Sequence, residues 1–264
     1  MKRSLLLLSI VLLVPVTAYA APVSAGNGTP SEQAGGQASA PRAAATAEFQ
    51  RGYARYQGGD YRQALTEWRR AAAQGDAPAE SNLGVMYTKG QGVPQNYAKA
   101  LKWYRLAAAQ HFAMAEFSLG FVYTYGQGVP QNYAKALKWF RRAAAQGDAP
   151  AESNLGVMYT KGQGVPQNYA KALKWYRLAA AQGYAHAEYN LGVMYAEGQG
   201  VPQDYVKAYK WLLLSKATLP ATDRHYPAVT KAVAVFAAAM TPAQIAQAQR
   251  EASAWYATHQ HTAQ

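Results

Sequence analysis

The sequence predicts an all-α protein, an α-α superhelix or solenoid of helical repeats closed by a C-terminal helical cap. Two observations predict this fold. Residues 69–110 recur without a change as residues 141–182, a duplication of 42 residues at an offset of 72. The motif Leu-Gly-x-x-Tyr recurs every 36 residues, first at Leu83 and last at Leu191. Such a period is typical of a solenoid, because a single unit cannot bury its apolar face alone.

The chain begins with the pattern of a secretory signal peptide. Lys2 and Arg3 precede an apolar run, and small residues lead to Ala20, where a signal peptidase would cleave. The apolar run of about twelve residues is shorter than the roughly 20 that a membrane-spanning helix needs. We therefore expect residues 1–20 to be removed and the mature protein to be exported, periplasmic rather than secreted, and not membrane-spanning.

A flexible linker is expected at residues 21–46. This segment consists mainly of Ala, Gly, Ser, Thr, Pro and Gln, with single charges at Glu32 and Arg42 and no apolar period. From residue 47 the composition changes, and residues 47–75 form a short variant unit ahead of the regular repeats.

The sequence pattern of each regular repeat predicts two helices. In the first helix, Leu83, Gly84 and Tyr87 recur at helical spacing, and the glycine lets a neighbouring helix come close. A loop at residues 89–94 follows, with two glycines that accept positive φ. The second helix is expected from about Gln95 to Gln110, with one apolar stripe.

Glycine follows the second helices at Gly75, Gly147 and Gly183, where a left-handed backbone commonly ends a helix. His111 stands at the equivalent position of the remaining repeat. It costs about 1 kcal/mol if its backbone is left-handed.

Three motifs carry a family resemblance: Ala-Glu-x-x-Leu-Gly-x-x-Tyr, Gly-x-Gly-Val-Pro-Gln-Asn/Asp-Tyr and Lys-Ala-x-x-Trp-Tyr/Phe-x-x-Ala-Ala. Together they resemble the Sel-1-like repeat family, relatives of the tetratricopeptide repeats. The four units that match are 76–111, 112–147, 148–183 and 184–219. Residues 47–75 resemble a degenerate tetratricopeptide repeat, because the turn before Tyr61 lacks the four-residue loop extension of the other units.

The segment 220–258 is expected to be a C-terminal helical cap, followed by a tail at 259–264. An apolar stretch at 229–240 precedes Thr241 and Pro242, which are good N-cap and first-turn residues for a last helix to about Tyr256. Similar segments close many bacterial members of the resembled family. A recognition helix is the alternative.

The resemblance implies a non-enzymatic scaffold or regulator in the bacterial cell envelope, with a protein or peptide segment of an envelope protein as its partner. A β-lactamase-like hydrolase is a third possibility, since some secreted members have been described as β-lactamases. Those members are rich in cysteine, whereas this chain has none and its mature part has no Ser-x-x-Lys. We therefore expect no enzyme, no catalytic residues, no cofactor and no metal site; His259-Gln-His261 is only a weak metal signal.

The candidate partner-binding residues are those that differ between repeats. By analogy with tetratricopeptide arrays, the concave groove is lined by positions held by Pro, Ser, Val and Lys in repeats 76–111 and 148–183. In the repeat between them these positions are Met114, Phe117, Phe121 and Tyr125, and the last repeat has His186 and Tyr189. Met and aromatic side chains are frequent anchors of peptide recognition. Packing against the adjacent repeat is the open alternative.

Basic residues recur at intervals of three on the second helices and predict a ridge. We call them the basic ridge: Lys99, Lys102, Arg105, Lys135, Lys138, Lys171, Lys174 and Arg177. The chain carries 26 Lys and Arg against 14 Asp and Glu, so an anionic polysaccharide or lipid head group is the alternative partner. Because the protein is expected to be exported, we do not expect nucleic acid as its partner. A solvated outer face explains the same pattern without a ligand.

Overall fold

The structure, a computed structural model, describes residues 40–259, with side chains from residue 43. Within that range the chain forms twelve α-helices and no strand. The signal peptide, most of the expected linker, and His261 lie outside the described residues. The described chain divides into two compact units, an N-terminal unit of residues 40–146 and a C-terminal unit of residues 147–259.

The N-terminal unit contains six helices, and each packs against the next. They are α1 (Ala40–Gln57), α2 (Tyr61–Ala73), α3 (Ala77–Lys89), α4 (Tyr97–Ala109), α5 (Ala113–Tyr125) and α6 (Tyr133–Ala144). Its core includes Trp68, Leu83 and Tyr104, each at most 1% exposed. The predicted pairing of two helices per repeat is confirmed.

The C-terminal unit continues the same pattern and ends in two further helices. Its helices are α7 (Ala149–Lys161), α8 (Tyr169–Ala181), α9 (Ala185–Glu197), α10 (Tyr205–Thr218), α11 (Tyr226–Ala239) and α12 (Pro242–His259). Both α11 and α12 pack against α10, the last helix of the last repeat. Their core with α10 includes Leu212, Val229 and Phe236.

The second helix of each repeat begins two residues later than the sequence suggests. In the first repeat α4 starts at Tyr97 because Asn96 is its N-cap, and the Asn96 Oδ1 accepts the Lys99 N–H at 2.9 Å. Gln95 stays outside the helix and its side-chain amide donates to the Thr88 carbonyl oxygen at 2.8 Å. Asn or Asp caps the other second helices in the same way.

The left-handed backbone expected at the loop glycines is confirmed, and His111 has a left-handed backbone as well. The loop glycines Gly90 and Gly92 have φ of 72° and 70°. His111 has φ of 58° and is the only non-glycine residue with positive φ among residues 40–259, whereas Gly75 at the equivalent position has φ of 80°. A histidine therefore occupies a conformation that glycine adopts without strain.

The glycine of the Leu-Gly-x-x-Tyr motif is a contact point between the two helices of a repeat. A Cβ atom on Gly120 would lie 2.6 Å from the Phe140 ring, closer than real Cβ atoms approach another group. Gly84 and Gly156 face tyrosine rings in the same way, and Gly52 in α1 faces Trp68. The expected close approach is thus present in every repeat, including the short first one.

The first helices are buried over nearly all of their length. Each contains at least ten consecutive buried residues, at 79–88, 115–124, 150–160 and 185–196. Only the ends of these helices remain accessible to a partner. A helix that is buried on all faces shows little amphipathic period, so the accessible positions are hard to identify from sequence.

Helix α1 begins at Ala40, inside the segment 21–46 that the sequence predicts to be linker. Residues 43–45 are three alanines, which have the highest helix propensity, and Ala45 is 5% exposed. The linker expectation is therefore wrong for residues 40–46, since composition alone did not distinguish alanines in a helix from alanines in a tether.

The predicted last helix is present as α12. The Thr241 Oγ1 accepts the Gln244 N–H at 3.3 Å, which is the expected N-cap, and the helix runs to His259, three residues beyond the expected end. The Trp255 ring packs edge-on against Trp211 of α10 at 4.8 Å. No helix between residues 40 and 259 is both long and apolar enough to cross a membrane.

Candidate functional site

The two phenylalanines predicted to line a groove lie in the interior. Phe117 is 1% exposed, and its ring is 5.7 Å from Phe140 of the same repeat; Phe121 is 5% exposed. The equivalent Ser81 and Val85 of the first repeat are buried as well. These positions are buried in every repeat. Phe117 and Phe121 therefore pack inside the protein, as in the alternative to groove binding, and do not line an open groove.

The two ends of α5 remain accessible. Met114, the second residue of α5, is half-buried. Tyr125, the last residue, is 43% exposed, and its ring packs on Phe121 at a centroid distance of 4.2 Å. Lys89 and Lys161 take the place of Tyr125 in the neighbouring repeats. The exposed aromatic ring is therefore a feature of one repeat rather than a requirement of the repeat fold.

His186 and Tyr189, the candidates in the last repeat, are also buried, at 5% and 2% exposure. Burial raises the pKa of Tyr189 to about 12. Tyr189 is therefore a core residue, and His186 is described below with two residues that approach it.

The basic ridge has intramolecular contacts that recur with the repeats. The Lys99 amine lies 5.5 Å from the centre of the Tyr87 ring, and Lys135 and Lys171 lie over their own motif tyrosines in the same way. The Arg105 guanidinium donates to the Tyr123 hydroxyl at 3.2 Å, and Arg177 makes the matching bond to Tyr195. These contacts within the protein are a structural reason for the recurrence of the basic residues. Lys102, Lys138 and Lys174 are exposed.

A buried glutamate recurs on the first helices. Glu152 accepts a hydrogen bond from the side-chain amide of Gln182 at 2.9 Å, and burial raises the pKa of Glu152 to about 7. In the second repeat Arg142, which replaces leucine, pairs with the fully buried Glu116 at 2.6 Å. Such repeated contacts between the two helices of a repeat identify these carboxyl groups as packing residues.

Three side chains that are distant in sequence meet in the C-terminal unit. The His186 Nε2 lies 3.3 Å from the His225 Nδ1 and 3.6 Å from the Asp223 Oδ2. The His225 Nδ1 lies 3.0 Å from the Asp223 Oδ1. We call these three residues the His-Asp-His cluster. His186 is in the first turn of α9, and the other two lie between α10 and α11.

The histidines of this cluster are held in the neutral form. Burial lowers the pKa of His186 to about 4, against the opposing effect of Asp223. Burial also lowers the pKa of His225. The contact between His186 and Asp223 therefore joins a carboxylate to a neutral imidazole and is not an ion pair at neutral pH.

The sequence predicts His186 as a groove residue, and its contacts with Asp223 and His225 are not part of that prediction. The available signals were a histidine where the other repeats have Pro or Met, and the spacing Asp-x-His at residues 223–225. Because 37 to 39 residues separate the two parts, only the packing of the tail on the last repeat brings them together.

Comparison with known proteins agrees with this architecture. The sequence profile of the Sel1 repeat matches residues 77–112, 113–148, 149–184 and 185–216, which together are more than half of the chain. The chain belongs to the Sel1 repeat family. Sel1 repeat proteins are in general protein-interaction scaffolds, and the family fold is typically non-catalytic. No curated protein matches the sequence.

Two solved structures of Sel1 repeat proteins are similar to this chain. One is a protective antigen of uropathogenic Escherichia coli with an SLR fold, at 32% identity and a TM-score of 0.73 over 83% of this chain. The other is a Sel1 repeat protein from Oxalobacter formigenes, at 36% identity and a TM-score of 0.61 over 67% of this chain and 75% of that one. This chain spans 47% of the length of the Escherichia coli structure.

Proposed function

We propose that this Sel1 repeat protein is a non-catalytic scaffold that binds a peptide segment of a protein partner at the ends of α5. The observation that carries the proposal is Tyr125, which is 43% exposed and backed by Phe121 in a repeat whose neighbours have lysine there. The partly accessible Met114 lies at the other end of the same helix. Rigid aromatic rings and adaptable Met side chains are common anchors for peptides.

The partner segment is expected to carry an apolar side chain flanked by acidic residues. The apolar side chain would contact Tyr125, and the formal net charge, +12 for the whole chain and +10 without Lys2 and Arg3 of the signal peptide, favours acidic flanks. Regulation or scaffolding of an envelope process is the role that we propose for this binding.

The experiment compares two equally exposed apolar side chains. Tyr125→Lys copies Lys89 and Lys161, while the control, Leu106→Arg, copies Arg142 and removes a side chain that is 41% exposed on a second helix. Each variant is used to capture proteins from an envelope extract, and affinity is then measured for a peptide from the captured partner. We expect Tyr125→Lys to weaken binding by about 2 kcal/mol and Leu106→Arg to leave it unchanged. The proposal is contradicted if Tyr125→Lys captures the partner as well as Leu106→Arg does.

A polyanion is the second candidate ligand, and it would contact exposed lysines of the basic ridge such as Lys102 and Lys138 of the N-terminal unit. If it is the true ligand, changing these lysines to glutamate abolishes binding and the affinity for the wild type falls steeply with salt, while Tyr125→Lys, which adds a positive charge, does not weaken binding. The two variant sets therefore distinguish the candidates.

We propose in addition that the protein acts after export. The support is the pattern of residues 1–20, with two basic residues, an apolar run and small residues before Ala20. In a bacterial host we expect protein recovered from the periplasmic fraction to begin at Ala21, as determined by N-terminal sequencing. Cytoplasmic protein that retains Met1 would contradict export.

A further inference from the structure

We propose that the His-Asp-His cluster is a binding site for a zinc ion. His186, Asp223 and His225 offer two imidazole nitrogens and a carboxylate, all within 4.8 Å of one another. Two histidines and one carboxylate are a ligand set that zinc takes in sites where the fourth position is held by water or a ligand. None of the repeats outside the last one has a histidine at the position of His186.

The distances between the ligand atoms fit a tetrahedral ion. Ligands that lie about 2.0–2.1 Å from a tetrahedral zinc ion are separated from each other by about 3.3 Å. The observed separations are 3.3 Å between the His186 Nε2 and the His225 Nδ1, 3.6 Å from the His186 Nε2 to the Asp223 Oδ2, and 3.0 Å from the His225 Nδ1 to the Asp223 Oδ1, so each imidazole faces a different oxygen of the carboxylate. With one ligand atom from each residue, all three atoms lie within 4.8 Å of one another, so an ion at the centre of the cluster requires the side chains to close in without any movement of the backbone fold.

The backbone holds the ligands in place without the ion. The His225 N–H donates to the Asp223 Oδ1 at 2.7 Å, and the Tyr226 N–H donates to the Asp223 carbonyl oxygen at 3.0 Å. This turn fixes Asp223 and His225 relative to each other. His186 is held in the first turn of α9, with the Tyr184 ring packed on its imidazole at 5.4 Å. A preorganised ligand set loses little conformational entropy on binding.

The proton of His225 has to move to the other ring nitrogen when the ion binds. The Arg224 Nε–H donates to the His225 Nε2 at 3.2 Å, which places the proton of the neutral imidazole on Nδ1, from where it donates to Asp223. The ion takes the place of the proton on Nδ1, and His225 changes to the tautomer with its proton on Nε2, so the ring stays neutral and no proton is released. The Arg224 side chain is exposed and is free to turn toward solvent. Arg224 is therefore expected to oppose binding, through its hydrogen bond and its charge.

The ligand types select the class of ion. Imidazole nitrogens suit zinc and its neighbours in the first transition series, whereas calcium and magnesium prefer a full set of oxygen ligands. A bound ion would link the start of α9 to the connection between α10 and α11. Binding to the folded state alone would stabilise the C-terminal unit.

The experiment titrates chelator-treated protein with Zn²⁺ by calorimetry and with Co²⁺ by absorption spectroscopy, where a tetrahedral site gives intense visible bands. We expect one equivalent of each ion to bind, Mg²⁺ not to bind, and Zn²⁺ to raise the melting temperature. His186→Met, which copies Met114, and Asp223→Asn, which keeps the turn hydrogen bond, are each expected to weaken Zn²⁺ binding by about 100-fold or more. His111→Gly is the control, since it removes a histidine from the N-terminal unit, and it should not change the affinity.

Arg224→Gln supplies a test that does not depend on loss of binding. It removes the bond that holds the proton on His225 Nδ1, so we expect tighter Zn²⁺ binding. The helical circular dichroism spectrum of each variant verifies that it is folded. The proposal is overturned if no stoichiometric Zn²⁺ binds, or if folded His186→Met and Asp223→Asn retain the wild-type affinity, which would assign the ion to surface histidines such as His259.

Discussion

His111 shows how one residue departs from the repeat without changing it. Its φ of 58° is a left-handed conformation that costs a non-glycine residue about 1–2 kcal/mol. The helix ends there all the same, since the chain geometry is set by the packing of α4 and α5 on each other. The surrounding repeat thus imposes a backbone that the side chain disfavours.

We expect His111→Gly to stabilise the protein. Relief of the left-handed strain exceeds the added entropy of glycine in the unfolded chain, so the net gain is about 0.5–1 kcal/mol, or roughly 2 °C in melting temperature. The matched control is Gly75→His, where a Cβ atom meets nothing within 4 Å and φ is 80°. It should lower the melting temperature by a similar amount. If both substitutions leave the melting temperature unchanged, the backbone relaxes and no strain is stored.

At the scale of helices, the contact between the first and second helix of a repeat depends on a glycine facing a large side chain. The partner is an aromatic ring in the short unit and in the first three regular repeats, but it is Leu212 in the last repeat, where a Cβ atom on Gly192 would lie 3.0 Å from the Leu212 Cγ. The last repeat therefore offers an internal comparison for the cost of filling this contact.

We expect Gly120→Ala to destabilise the protein by about 1–3 kcal/mol, because the added methyl group would overlap the Phe140 ring in a packed interior. Gly192→Ala should cost less, since alanine gains up to about 1 kcal/mol of helix propensity and its Cβ would lie 3.0 Å from the Leu212 Cγ and 3.2 Å from the Ala208 carbonyl oxygen, which is tight but does not overlap as the ring does. Urea denaturation measures both.

A double variant tests whether the Phe140 ring is the cause of the destabilisation by Gly120→Ala. Combining Gly120→Ala with Phe140→Leu, which copies Leu212, should recover part of the loss, and the coupling is read from a double-mutant cycle. Equal losses for Gly120→Ala and Gly192→Ala would show that the ring is not the obstacle.

At the scale of the whole molecule, the final two helices cover the last repeat. Trp255 of α12 packs on Trp211 at 4.8 Å, and Phe236 of α11 packs on Tyr205 at 5.8 Å. In a repeat protein each unit is stabilised mainly by its neighbours, so the last repeat requires a cover with a polar outer face.

Deleting residues 220–264 is therefore expected to lower the melting temperature and to cause self-association, as measured by calorimetry and light scattering. Each aromatic side chain that loses its cover forfeits roughly 1.5–3 kcal/mol of burial. The measurement is made with a chelator present, because the deletion also removes Asp223 and His225. Trp255→Ala should show a smaller loss. A truncated protein that is monomeric and equally stable would show that α11 and α12 are not a cap and are available for binding.

Much of this architecture could be predicted from the sequence. The exact recurrence of residues 69–110 and the 36-residue period of the glycine motif predicted the number of repeats and their two helices, and the loop glycines predicted the left-handed backbone at Gly90 and Gly92. These are local properties or consequences of repetition, since identical segments in identical surroundings adopt the same structure. The start of α4 was missed by two residues because Asn96 was not recognised as its N-cap.

Which residues are exposed was decided only by the tertiary structure. Phe117 and Tyr125 lie on the same face of α5, yet one is 1% and the other 43% exposed, because neighbouring helices cover the middle of α5 and leave its end open. The meeting of His186 with Asp223 and His225 has the same origin, since the fold of the tail onto the last repeat joins residues 37 to 39 positions apart. Local sequence determines the helices, whereas burial and long-range clusters depend on which helices pack together.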